Sequence, residues 1–155
     1  MNAFDTLQLT CSWPLAETGE RFDLGALHDD IGLVAGFTQQ QGIELAQCGV
    51  GVWECDLADN SLEWSAGVYD LFGLPRGVTL TRTDIVQLYA EPSRSAMERL
   101  RTHAIRHRRG FTVDAEIRPA SGGTRWMRLI AAPVCVRGRA VRLRGVKRDV
   151  TGLYP

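Results

Sequence analysis

No apolar run in the 155 residues approaches the roughly 20 needed to span a bilayer, so a transmembrane helix is not expected. The N-terminus has neither a basic flank nor an apolar segment, so a secretory leader is not expected. Cysteine is scarce: Cys11, Cys48, Cys55 and Cys135 show no C-x-x-C pair and no zinc spacing. Such thiols suit a reduced, cytoplasmic chain rather than a disulfide scaffold. The chemistry of common enzyme families is missing too. There is no glycine-rich phosphate loop, no G-x-S-x-G elbow and no H-E-x-x-H helix. His103 and His107 stand one helical turn apart, but among arginines and without a Cys, Asp or Glu to complete a metal set. We expect no catalytic residues and no metal.

What is present begins with residues 49–74. Alternation places Trp53, Cys55 and Leu57 on one face of a strand and Val52, Glu54 and Asp56 on the other. The polar face is expected to be solvated. Ala58 to Ser61 have turn chemistry, after which Leu62 and Trp64 share a face of a return strand. Ser65 is the expected cap of a short helix through Tyr69 and Phe72, and Gly73 its terminator. Glu91-Pro92-Ser93 opens a long helix, with Ser93 as cap, Met97, Leu100 and Ala104 inward, and Arg99, Arg101, Arg106 and Arg108 outward. Gly110 is expected to end it. Strands then follow from Phe111, from Arg125 and up to Gly145–Thr151.

Taken in order, G-V-W-E-C-D-L, L-E-W-S, L-F-G, E-P-S-R, the Gly122-Gly123 turn and the closing G-V-K-R-D-V-T (residues 145–151) resemble the PAS family of sensory domains. The resemblance covers about residues 43–151. It implies an α+β fold, a five-stranded antiparallel sheet with helices on one face, often around a small-molecule pocket. The division that follows is an extension at 1–42, a sensor domain at 43–151 and a tail at 152–155.

The resemblance also frames the site. Flavin photosensors of the family carry a reactive cysteine in an N-C-R-F-L-Q type helix, and residues 81–90 have none, which argues against a covalent flavin adduct. Haem-binding members place a histidine early in the long helix, where this chain has Met97. The cofactor is left open. Candidates for a pocket taking a small apolar or aromatic ligand are Trp53, Cys55, Trp64, Tyr69, Phe72 and Leu88. Met97, Leu100, Val113, Ile117, Leu129 and Leu143 complete them. The same residues can instead simply fill the core. Asp149 and Thr151 match the family's closing D-x-T and are expected to couple the domain to its output.

Upstream, Leu24, Leu27, Ile31 and Val34 recur at helical spacing behind Asp23, read as an N-cap, though Gly25, Gly32 and Gly36 weaken the helix. This stripe suits either the chain's own sheet or a homodimer, and the dimer is the expectation. Cys11 to Pro14 read as irregular. Thr38 and Gln41 have capping-box spacing for a second helix that stops near Gly49. Charge divides sharply: residues 1–98 carry 4 Arg and 15 acids, net −11, and residues 99–155 carry 13 Arg, one Lys and 3 acids, net +11. Mutual attraction within the fold or across a dimer is preferred over nucleic-acid binding. Gly152 to Pro155 interrupt the coiled-coil helix that follows this ending in sensor kinases and cyclases. The function read from the sequence is a sensory domain that binds a ligand or mediates partner contacts. The alternatives are a pure interaction module or an input domain of a kinase, cyclase or transcription regulator.

Overall fold

Period-two patterning becomes strands throughout the second half of the chain. The structure, a computed structural model, describes residues 10–25 and 32–155. Its strands are β1 (Thr10–Pro14), β2 (Val50–Asp56), β3 (Leu62–Trp64), β4 (Arg109–Ile117), β5 (Arg125–Val136) and β6 (Arg139–Asp149). They form one antiparallel sheet in the order β1-β4-β5-β6-β2-β3. The helices are α1 (Thr18–Phe22), α2 (Gln39–Gln47), α3 (Ala66–Phe72), α4 (Arg82–Val86) and α5 (Glu91–His107).

The sheet therefore has six strands among the described residues, not five. The sixth is β1, in a stretch that reads as irregular. It is short, it lies at the edge, and its partner β4 is about a hundred residues away, so no local pattern announces it. Trp13 fixes it: the indole Nε1 donates to Thr112 Oγ1 at 3.0 Å. The ring lies so close over Gly110 that a Cβ there would come within 2.1 Å of it. Gly110 is thus the second residue of β4 rather than the end of α5, whose left-handed cap is Arg108.

Both faces of the sheet are covered. On one, α3, α4 and α5 pack over Trp53, Cys55, Phe111, Val113, Met127, Leu129 and Leu143. On the other, a second core joins Trp13, Phe22 and Leu33 to Val50, Val52, Ile130 and Val146. The expected amphipathic helix is replaced where it can be seen. Asp23 closes α1 at φ +54° instead of opening a helix, and Gly25 and Gly32 leave the helical basin at φ +84° and +88°. Leu24 and Val34 lie partly buried against the chain's own second core. Leu27 and Ile31 fall outside the described residues.

Capping by Thr38 and Gln41 is reciprocal, as their spacing predicts. Two serines take other work. Ser65 does stand at the N-cap of α3, as expected, but its hydroxyl accepts from the Val52 N–H at 2.9 Å, tying α3 to β2. Ser93 accepts from the Glu116 N–H at 2.8 Å, tying α5 to β4, while Ala90 takes the cap position. Glu54 is buried rather than solvated. Its Oε1 accepts from the backbone N–H groups of Leu33 and Val34, and so pins the 33–36 turn to the second face.

Candidate ligand-binding site

Between the sheet and helices α4 and α5 lies a cavity of about 50 Å³. Its walls come from alternate residues of β2 (Trp53, Cys55), β5 (Leu129) and β6 (Leu143, Lys147), closed by Trp64, Tyr89 and Met97. Arg82 on α4 and Arg101 on α5 complete it. Alternation explains the set, since every second residue of each strand points to this face.

Aromatic rings dominate. Trp64 stacks on Phe72 with centroids 5.4 Å apart and meets Tyr69 edge-on at 5.1 Å. Lys147, only 5% exposed, holds its ammonium 4.9 Å from the centroid of Phe72, 5.2 Å from Trp53 and 5.4 Å from Trp64. Cation–π attraction partly offsets the loss of water. Burial nevertheless pushes the ammonium down to about 7; Cys55 opposes this, and the Arg82 charge adds a smaller lowering. The indole Nε1 atoms of Trp53 and Trp64 are buried without a hydrogen-bond acceptor. Cys55 is pushed up by burial, so its thiol stays protonated and inert. Tyr89 is likewise raised by burial.

Of the residues proposed from sequence, Trp53, Cys55, Trp64, Met97, Leu129 and Leu143 line the cavity. Phe72, Val113 and Ile117 are buried in the same core without lining it, and Leu88 and Leu100 pack at its margin. Tyr69 touches the cavity only through Trp64. Sequence reasoning missed the charged wall. Arg101 reads as outward on its helix, yet it is partly buried and lines the cavity. Lys147 was legible in principle, because Leu143, Gly145 and Lys147 alternate on one face of β6, and it is the chain's single lysine.

The lining does not fit the large cofactors of related sensors. A volume of 50 Å³ admits on the order of four water molecules, far short of a flavin ring system or a haem. Among the described residues there is no group of three or more metal-ligating side chains. No helix among them is long and apolar enough to cross a membrane.

At the end of β6 the chain leaves through a small polar knot. Asp149 Oδ1 accepts from the Thr151 N–H at 2.9 Å and its hydroxyl at 2.6 Å, while Thr151 Oγ1 accepts from the Trp126 N–H at 3.1 Å. Tyr154 then stacks on Trp126 at 4.1 Å and donates its hydroxyl to Asp114, which Arg128 holds from the other side at 2.8 and 3.0 Å.

This architecture is that of known sensory domains. An RNA-binding light-oxygen-voltage receptor superposes with a TM-score of 0.60 at 16% identity, over 68% of this chain and 30% of that one. The N-terminal domain of a diguanylate cyclase with PAS/PAC sensor from Marinobacter aquaeolei gives 0.60 at 15% identity, over 66% and 95%. A sensory box histidine kinase/response regulator from Burkholderia thailandensis gives 0.59 at 19%, over 71% and 83%. No protein-family model matches the chain, and no curated protein sequence does. The chain has the PAS fold. It spans about a third of the light-oxygen-voltage receptor it resembles.

Proposed function

We propose that the chain is a sensory input domain that holds a small ligand between Trp53, Trp64 and Lys147 and acts through protein contacts rather than catalysis. The observation that carries this reading is the cavity wall itself. Two indole N–H groups of its residues are buried without the acceptors that such groups normally find, and beside them the ammonium of Lys147, a residue only 5% exposed, faces aromatic rings. Similar domains stand in histidine kinases and a diguanylate cyclase, so the output in this proposal is an effector of that kind or a second copy of the chain. Strand β6 runs from Leu143 and Lys147 in the cavity wall to Asp149 at the exit, and in this proposal Asp149 and Thr151 pass on a shift. A dimer formed through the 24–34 stripe has less to offer, because Leu24 and Val34 already pack on the chain's own sheet.

Native mass spectrometry against the denatured mass tests the reading. We expect a non-covalent adduct lost on denaturation, and its loss also in Trp64→Ala, which opens one wall and removes the ring stacked on Phe72. Retention unchanged in Trp64→Ala means the ligand sits elsewhere. A ligand-free wild type that resists every small ligand offered favours a pure interaction module, a reading that the small cavity volume supports.

A further inference from the structure

We propose that the ligand is a small carboxylate with a short apolar tail, its charge held by Lys147. This rests on the ligand-binding reading above and gives it a chemical class. The charged and titratable groups facing the ammonium decide the matter. From α4 comes Arg82, whose charge is matched by Glu98. Glu98 is 43% exposed and does not line the cavity. From α5 comes Arg101, which reaches Asn60 Oδ1 at 3.2 Å, an uncharged acceptor. From β2 comes the Cys55 thiol, and from the segment before α5 the Tyr89 phenol, both held protonated by burial. Among the described residues no carboxylate lies within ion-pair distance of Lys147. Cations thus converge on an apolar space that supplies no counter-ion.

Water solvates such a site but does not neutralise it, and a buried charge without a partner is costly. A carboxylate answers the need closely. Its two oxygens offer about four acceptor sites, enough for the ammonium and for the indole N–H groups of Trp53 and Trp64. The rest of the wall, Leu129, Leu143, Met97 and Ile85, takes only an apolar tail. The volume limits the whole molecule to about five heavy atoms, given room for on the order of four waters. An anion beside Lys147 also draws its proton affinity back up from about 7. Binding therefore takes up a proton, and affinity weakens by about tenfold between pH 6 and pH 8.

Propionate is the probe, and propionamide its neutral counterpart of the same shape. Binding of each to the full chain is measured by ligand-observed NMR and by calorimetry at pH 6 and pH 8. We expect propionate to bind, propionamide to bind at least tenfold more weakly, and the propionate affinity to fall about tenfold at the higher pH. Lys147→Met should lose at least tenfold for propionate and none for propionamide. Equal binding of the two probes, an unchanged affinity in Lys147→Met, or a flat pH profile overturns the carboxylate assignment and leaves a neutral ligand in the same cavity. Binding of neither probe, with no adduct in native mass spectrometry, removes the ligand-binding reading as well. The pH profile of the wild type decides the question even if Lys147→Met fails to fold, and Lys147→Gln provides a second variant.

Discussion

Lys147 is a stability cost placed in the middle of a core, and the cost has a measurable pH signature. Its folded value of about 7 lies below the ordinary 10.5 of a lysine in an unfolded chain. Between those values the unfolded chain binds more protons, so ligand-free stability rises with pH as the penalty for the buried charge is relieved. The slope is at most about 1.4 kcal/mol per pH unit. Above pH 9 the buried Cys55 thiol opposes it, because the unfolded thiol ionises first and the folded one is held up. The clean window is pH 7 to 9. Replacing Lys147 with Met, similar in length and apolar, is expected to stabilise the protein at pH 7 by about 1–4 kcal/mol. It should also flatten the slope across that window, as read by urea denaturation at each pH. A destabilised Lys147→Met with the slope intact means that the ammonium is better solvated than its 5% exposure implies.

At the scale of elements, legibility followed locality. The capping box at Thr38 and Gln41, the turn at residues 58–61 and the Gly73 terminator are written within a few residues, and each forms as those residues dictate. Trp53, Cys55, Leu129 and Leu143 were legible as cavity wall because strand alternation is also local. Features that depend on distant partners were not. Ser65 and Ser93 look like helix caps from their neighbours, yet their hydroxyls serve β2 and β4. Edge strand β1 depends on Trp13 meeting Gly110 and Thr112. Glu54 is the sharpest case, since nothing near it in sequence reveals that it gathers the amides of Leu33 and Val34. This gives a prediction about the N-terminal layer. Glu54→Ala leaves two backbone donors without their acceptor and is expected to cost about 1–3 kcal/mol. Hydrogen exchange at Leu33 and Val34 should accelerate while exchange in β4 and β5 stays close to the global rate. Uniform acceleration across the sheet would mean that the turn does not open as a separate unit.

Across the whole molecule, the sequence divides into halves of net charge −11 and +11, and arginines of the second reach backbone carbonyls of the first. Arg125 donates from Nη1 to the carbonyls of Asp70 and Leu71, both at 2.7 Å, near the C-terminus of α3. Arg148 donates to the carbonyl of Phe22, the last residue of α1, at 2.7 Å. The carbonyls at a helix C-terminus lack intrahelical donors and carry partial negative charge, so a guanidinium there answers both needs. The side-chain pair between Arg142 and Glu54, which also joins the halves, is longer, at 3.9 Å. The imbalance was legible in sequence, but its resolution was not, because carbonyl acceptors belong to every residue and leave no mark on composition. Two arginines near the same helix separate the effects. Arg125→Met is expected to cost about 1–2 kcal/mol, since it takes the guanidinium donor from the Leu71 carbonyl and from the Asp70 carbonyl, which keeps only the Gly73 N–H. Arg76→Met breaks an exposed pair with Asp70, at 2.8 and 3.0 Å, and should cost clearly less and lose that small effect in 0.5 M salt. Urea denaturation at low and high salt, with the slope against denaturant unchanged, reads both. If Arg76→Met proves the more damaging and the more salt-sensitive, the surface pair with Asp70 holds this end of α3 more firmly than the Arg125 cap from the basic half does.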